Sequence, residues 1–284
     1  MSAIDLRCGR WQDVLADVGE VDAVICDPPY AEIDRPYGRM SEAEWMAFMR
    51  RVTLEARRVL RPHGSAVFIL QPNSEKVGKM RGWLWRYLAW CVDEWNVVQD
   101  AYWWNPVTQP TVHTHRTRGL MRSSVKSCVW LGSPGCYRDQ GAVLWSETES
   151  NIARRAEQRF DLVYNPSGSH NRPSRVASVA GERGGVTPYN ILPISNSNST
   201  DSAGAHGHGA GTPYRLAEWW TKYLTKPGDT VLDMCMGSGT MGLAALNLGR
   251  AFVGIEQDAA YFAIAQARID AAAATRQMSL EEAA

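Results

Sequence analysis

The stretch Val231-Leu232-Asp233-Met234-Cys235-Met236-Gly237-Ser238-Gly239-Thr240 decides how this chain folds. Thr230–Met234 is a short apolar strand, Gly237 to Gly239 form a glycine loop, and a helix runs from about Gly239 to Leu248. The next strand is Ala251–Ile255, closed by Glu256, and Asp258–Ala274 is a final helix. Glycines in such a loop let a ligand come close to the backbone. The helix start offers N–H groups to a carboxylate. An acidic residue at the end of the following strand can hold ribose hydroxyls.

The same alternation appears at the other end of the chain. Val21–Cys26 (VDAVIC) is β-branched and apolar for most of its length, as a buried strand requires. Ser41-Glu42-Ala43-Glu44 is a capping box. It opens a helix to about Leu60, with Trp45, Phe48, Met49, Val52 and Ala56 near helical spacing. Arg61-Pro62-His63-Gly64 reads as a turn and Ser65–Leu70 as a strand. Glu94–Trp104 and Lys126–Leu131 read as two more strands, and Pro213–Leu224 as a helix before the turn Lys226–Asp229. Strands alternating with helices at both ends predict an α/β fold with an open, mainly parallel sheet. Between Gly132 and Gly211 the pattern weakens, and 165–175 and 195–211 are rich in Ser, Asn and Gly. These are expected to be mobile loops of an insertion or lid.

The 284 residues carry 30 Lys+Arg against 30 Asp+Glu, so a binder that works by bulk charge alone is disfavoured. Local charge remains able to build a nucleic-acid surface. The cysteines, Cys8, Cys26, Cys91, Cys128, Cys136 and Cys235, show no CxxC or zinc spacing. Reduced thiols in the cytoplasm and no metal are therefore expected. MSAIDLRCGR has no apolar signal region, and no run is long enough to span a bilayer, so no membrane is expected.

Directly after the first buried strand comes Asp27-Pro28-Pro29-Tyr30. Ligands of open α/β sheets bind beyond the carboxyl ends of strands, where this tetrapeptide falls. Two prolines fix the backbone and remove two donors, leaving carbonyls aimed in set directions. An aromatic amine is a weak nucleophile because its lone pair is delocalised into the ring. Acceptors from Asp27 and the Pro28 carbonyl can bond both amino hydrogens and favour a more tetrahedral nitrogen. Tyr30 can stack on a base taken out of a duplex. A proline turn that merely closes a strand would look the same in isolation.

Together the two motifs resemble the amino-directed DNA methyltransferases in the permuted arrangement called the beta group. The catalytic Asp-Pro-Pro-Tyr lies near the N-terminus and the cofactor motif near the C-terminus. The resemblance covers about residues 4–131 and 190–270. Leu60-Arg61-Pro62-His63-Gly64, Trp103-Trp104-Asn105-Pro106, His208 through Thr212-Pro213, Glu256-Gln257-Asp258-Ala259-Ala260-Tyr261 and Arg268 also fit family elements. It implies a Rossmann-like class I methyltransferase fold with helices on both faces of the sheet, circularly permuted, with an inserted target-recognition region. The implied parts are a catalytic half at 1–131, recognition insertion and mobile loops at 132–205, and a cofactor-binding half at 206–284.

The implied cofactor is S-adenosylmethionine, held by Cys8, Gly9, Arg10, Thr212, Pro213, Asp233, Met234, Cys235, Gly237, Ser238, Gly239, Thr240, Glu256 and Gln257. The implied catalytic residues are Asp27, Pro28, Pro29 and Tyr30, and the implied partner is double-stranded DNA. Adenine N6 is favoured over cytosine N4 because cytosine members more often carry Ser at the place of Asp27. Members are often dimers, which implies a homodimer. Neither a recognition sequence nor a restriction endonuclease partner is written in the chain. Three positions depart from the family: Gly-Asp is Gly9-Arg10, the common Lys is Thr212, and Asp-Pro-Phe is Asp233-Met234-Cys235. Arg10 and Met234-Cys235 keep open a different class of protein, a non-catalytic DNA-binding subunit with the same fold. Trp11 is an alternative cover for the cofactor's adenine.

Residues 101–138 hold Arg116, Arg118, Arg122, Lys126 and Arg138 and no acid, which suits phosphate contacts and equally suits a solvated loop. Arg154, Arg155, Arg159, Arg172, Arg175 and Arg183 add to the basic middle, where some are expected to read base edges. Trp103 and Trp104 are expected beside the DNA, whereas Trp45, Trp219 and Trp220 sit at helical spacing and read as core. His206 and His208 read as loop histidines, since no Cys or acidic cluster accompanies them. No Pro-Cys dipeptide occurs, so a covalent cysteine mechanism at a ring carbon is disfavoured.

Overall fold

A computed structural model of the chain describes residues 3–34, 38–108, 119–146, 184–196 and 211–282. It divides into two compact units, Met1–Arg138 with Asn190–Ala284, and Asp139–Tyr189. In the smaller unit the described residues form one 3-10 turn, Gly141–Val143, and a bridge between Trp145 and Val186. Residues 132–138 and 190–196, expected in the insertion, fall in the larger unit. Gly132 ends one strand of the main sheet and Ile191–Pro193 is another, so these residues go with the sheet.

The larger unit is built on β1 (Ile4–Cys8), α1 (Trp11–Val14), β2 (Val21–Cys26), α2 (Glu42–Val59), β3 (Leu60–Leu70), β4 (Ser74–Lys76), β5 (Lys79–Met80), α3 (Trp83–Glu94), β6 (Val97–Gln99), β7 (Tyr102–Trp104) and β8 (Val125–Gly132). It continues with β9 (Ile191–Pro193), α4 (Tyr214–Leu224), β10 (Thr230–Asp233), α5 (Thr240–Asn247), β11 (Ala251–Glu256) and α6 (Ala259–Glu282). The main sheet runs β1-β11-β10-β2-β3-β8-β7-β9, with β6 also paired to β8. From β1 to β3 every pairing is parallel, and β8 pairs antiparallel with β3, β6 and β7. The expected mainly parallel α/β sheet is therefore present.

β2 shows how the layers form. Side chains alternate across a strand, so Val24 and Cys26 join a core with α1, α2 and α3. Ala23 and Ile25 join the opposite core with α4, α5 and α6. All six residues of β2 are buried, because helices cover both faces. Asp22 ties the two halves of the chain together. Its carboxylate accepts from Thr230 N at 2.8 Å and from Arg61 at 3.0 Å.

The capping box is complete, with Ser41 accepting from Glu44 N and Glu44 accepting from Ser41 N. The expected turn Arg61–Gly64 lies inside β3 as an irregularity. Val21 pairs with Leu60 but Ala23 pairs with Ser65, so the extra residues bulge out of the ladder. Glu94–Trp104 is not one strand: Glu94 ends α3, and β6 and β7 are separate pieces on β8. α3 follows Trp83, Leu84, Tyr87 and Cys91, a buried stripe whose aromatic residues make it hard to tell from a strand. The final helix runs beyond Ala274 to Glu282.

Candidate active site

β2 and β10 are neighbours, with Ala23 beside Val231 and Val24 beside Leu232. After β2 the chain crosses to β3, and after β10 it crosses the other way to β11. Such a reversal opens a crevice beyond the carboxyl ends of the two strands. Asp27 lies just past the end of β2, and Asp233 ends β10. Motifs from opposite ends of the chain thus open into one cavity of about 370 Å³. Asp27, Pro28, Pro29 and Tyr30 line one side. Asp233–Ser238, Thr240, Glu256 and Gln257 line the other.

The Asp27 carboxylate is held by two hydroxyl donors and faces an ammonium. Tyr30 Oη donates to Oδ1 at 2.6 Å, Thr212 Oγ1 donates to Oδ2 at 2.9 Å, and Lys126 Nζ lies 3.6 Å from Oδ2. Thr212 stands where a lysine is common in the family, and its hydroxyl reaches the Asp27 carboxylate. The loop is pinned from behind by two indoles. Trp45 Nε1 donates to Pro29 O at 2.7 Å. Trp83 Nε1 donates to Asn73 Oδ1 at 2.9 Å, and Asn73 Nδ2 donates to Ala31 O at 2.7 Å. Trp45 is core, as expected, and also fixes the backbone whose carbonyls the chemistry needs. The Tyr30 ring stacks toward Trp83 with centroids 6.4 Å apart.

Across the cavity Glu256 is anchored by the backbone around it. Gly237 N donates to its Oε2 at 2.8 Å and Asp258 N to its Oε1 at 2.9 Å. Burial nevertheless holds its carboxyl above the ordinary range. Asp233 is 3 % exposed and accepts from Cys235 N at 3.0 Å. Burial, with the charges of Glu256 and Asp27 adding to it, pushes its carboxyl up to about 7. Gly239 caps α5 with φ +83, and a Cβ there would lie 3.0 Å from Ala265 Cβ, so the tight turn demands glycine.

Not every expected residue meets the cavity. Gly9 and Arg10 line it, but Cys8, Pro213 and Gly239 do not. Pro213 caps α4, and Cys8 ends the edge strand β1. Of the two tryptophans expected beside the DNA, Trp103 is buried and donates from Nε1 to Ile194 O at 2.8 Å, while Trp104 is exposed. Arg122 is exposed on the loop before β8. Arg116, Arg118, Arg172, Arg175, His206 and His208 lie outside the described residues.

The sequence does not mark Gln12, Met40, Phe48 or Met241 as cavity residues, yet they line it. Phe48 is one of the apolar positions of α2 and carries the same signal as core. Lys126 is the larger omission. Its basic stretch suggests a surface cation, but its parity along β8 matches buried Cys128 and Trp130, and it faces inward.

S-adenosylmethionine fits this cavity. The volume lies in the range of roughly 300–1,000 Å³ typical of cofactor sites. Three carboxylates, from Asp27, Asp233 and Glu256, suit a cation with a ribose diol. Trp11 and Phe48 meet edge to face at 6.2 Å on the wall, and the Trp11 indole N–H is buried with no partner among the described residues.

The model of the DNA methylase family matches residues 21–267. The type II methyltransferase M.PvuII of Proteus hauseri is 25 % identical over 256 residues, covering 86 % of this chain and 76 % of that protein. A solved PvuII DNA methyltransferase, described as cytosine-N4-specific, superposes with a TM-score of 0.72 at 22 % identity, over 94 % of this chain and 86 % of the other. A Thermus thermophilus protein described as a putative DNA modification methylase, solved with S-adenosyl-L-methionine, gives 0.59 at 19 % identity, over 95 % and 96 %. With the family model spanning both motifs and the fold shared with solved methyltransferases, the chain belongs to the DNA methylase family, as an amino-directed, S-adenosylmethionine-dependent member.

Proposed function

We propose that this methylase acts on N6 of adenine in double-stranded DNA, at a specific sequence, on a base turned out of the duplex. The observation that carries the reading is the shared cavity, with Asp27 and Tyr30 on one wall and Asp233, the glycine loop and Glu256 on the other. When bound, S-adenosylmethionine supplies an electrophilic methyl group. Gly237, Ser238 and Thr240 would cradle its methionine end and Glu256 would hold the ribose, with Asp233 lining the same cavity. Asp27 and the Pro28 carbonyl accept the two amino hydrogens. Pro29, pinned by Trp45, keeps that carbonyl in place. Tyr30 stacks on the base. These groups orient the nitrogen for in-line attack, so rate comes from positioning and from electrostatics fixed in advance. Residues 139–189, with their arginines, are assigned to target recognition.

Asp27 supports adenine over cytosine by association with the family, since either amine can use the same acceptors. Cytosine N4 is the second reading, favoured by the likeness to the cytosine-N4-specific PvuII enzyme. Arg10 and Met234-Cys235 leave Asp27, Glu256 and the glycine loop in position, which supports catalysis over a purely binding role. The test is expression in a host without other DNA methylases, followed by nucleotide-resolution mapping of modified bases. Adenine modified at one recurring sequence supports the proposal, and modified cytosine replaces it with the second reading.

The assignment of Glu256 carries its own prediction. In Glu256→Gln the amide NH₂ faces either the Gly237 or the Asp258 N–H, so one donor loses its partner. With the charge gone and the remaining acceptor oxygen kept by the backbone, the ribose hydroxyls lose a charge-assisted bond, and S-adenosylmethionine affinity is expected to fall roughly 10- to 100-fold. Calorimetry measures this directly, and unchanged affinity removes Glu256 from the cofactor site.

A further inference from the structure

Lys126 is placed as no surface lysine would be. Its ammonium donates to Tyr30 Oη at 3.0 Å and lies 3.6 Å from Asp27 Oδ2. It sits 4.7 Å from the Trp103 ring centroid and 5.3 Å from that of Tyr30. The side chain is 16 % exposed. β8 delivers it there, since Lys126 pairs across the ladder with Trp103. An ammonium has three donors; one goes to Tyr30 Oη, and the Asp27 carboxylate attracts the charge from 3.6 Å. This cation therefore stands at the hydroxyl edge of the Tyr30 ring, beside the carboxylate that takes the amine.

A base stacked on Tyr30 with its amino group on Asp27 brings its neighbouring ring atom against that edge. In adenine this atom is N1 and in cytosine N3, each an unprotonated acceptor bonded to the carbon that bears the amine. We propose that Lys126 is a specificity-determining residue that donates a hydrogen bond to this ring nitrogen. The inference rests on the reading that Asp27 and Tyr30 hold the target base. The contact selects and orients rather than activates. Donation to the ring draws electron density from the amine, and the acceptors on the amino hydrogens offset this. Trp103, buried beneath the ammonium, holds the lysine in place, which gives that tryptophan a task other than touching DNA.

The test pairs a side-chain change with a single-atom change in the substrate. Duplexes carrying the mapped site with adenine, 1-deazaadenine or 7-deazaadenine at the target are compared for wild type, Lys126→Met and Lys126→Arg. Wild-type transfer to plain adenine comes first, and its absence defeats the adenine reading independently of Lys126. If cytosine proves to be the target, 3-deazacytosine replaces 1-deazaadenine. The expected result is a loss of roughly 10- to 100-fold in kcat/KM for wild type on 1-deazaadenine, the scale of a hydrogen bond to a charged donor. 7-Deazaadenine should behave as adenine. Lys126→Met should lose a similar factor on adenine and show no further loss on 1-deazaadenine. Lys126→Arg should recover part of the activity and of the 1-deaza sensitivity. Lys126 does not line the cofactor cavity, so unchanged S-adenosylmethionine affinity in Lys126→Met checks that the variant is folded. Wild type indifferent to 1-deazaadenine, or equally sensitive with and without the lysine, overturns the proposal. So does a loss confined to 7-deazaadenine.

Discussion

Asp27→Ala is expected to lower methyl transfer to DNA by about 10³-fold, while binding of S-adenosylmethionine is retained. The carboxylate at the end of β2 can accept from the amine and oppose the positive charge growing on it. Its loss removes stabilisation made in the transition state, so kcat falls rather than KM alone. Alanine also leaves Lys126 without its anionic partner, at 16 % exposure, and costs some stability. Asp27→Asn separates the two effects. It keeps the shape and an acceptor for one of the Tyr30 and Thr212 hydroxyls, the other turning to accept from the amide NH₂, yet lacks the charge. Both variants should be nearly inactive, and the asparagine variant should melt close to wild type. Single-turnover transfer at saturating cofactor, with a melting curve for each variant, checks this. An active asparagine variant would mean the charge is not needed.

Asp233→Asn is expected to stabilise the cofactor-free protein at pH 8 by roughly 2–4 kcal/mol while weakening S-adenosylmethionine binding. In the fold this carboxyl titrates at about 7, against 3.8 in an unstructured chain. The folded state therefore holds the proton more tightly than the unfolded state. The stability this contributes is complete below about 4 and is lost as pH rises through about 7. Above 7 the wild type carries a buried charge that the amide does not. Urea unfolding at several pH values should show the advantage of Asp233→Asn growing from pH 4 to pH 8. The same pair of states couples to the cofactor. A cation nearby favours ionised Asp233, so wild-type affinity should rise with pH toward 8 and binding should release protons near neutrality. Calorimetry in buffers of different ionisation enthalpy counts them. A flat difference between variant and wild type across pH would show that Asp233 is not strained by burial. The site thus keeps a destabilising acid where the ligand is expected to relieve it.

The sheet and both motifs are legible in the sequence because local signals agree there. β2 and β10 are apolar runs ending in turn chemistry, and the capping box before α2 is complete in the sequence. What stays hidden depends on which strands become neighbours. Nothing local brings Thr212 to Asp27 or Asp22 to Thr230, since these contacts follow from β10 docking on β2. Trp45 and Trp83 carry one apolar signal for two tasks, filling the core and fixing the catalytic loop. Lys126 escapes a reading by composition because a cation in a basic stretch resembles a phosphate contact. The clue is its parity with Cys128 and Trp130 on an otherwise apolar face. Trp103 has a place in a motif that suggests the surface, but its side chain points to the face of the sheet that carries the core with Trp130 and Trp220.

The most direct test of the account is transfer of labelled methyl from S-adenosylmethionine to mixed-sequence duplex DNA, followed by nucleoside analysis. N6-methyldeoxyadenosine is expected to carry the label with the wild type and none with Asp27→Asn. Label that persists in the variant, or a folded, cofactor-bound wild type that labels no base, would contradict it.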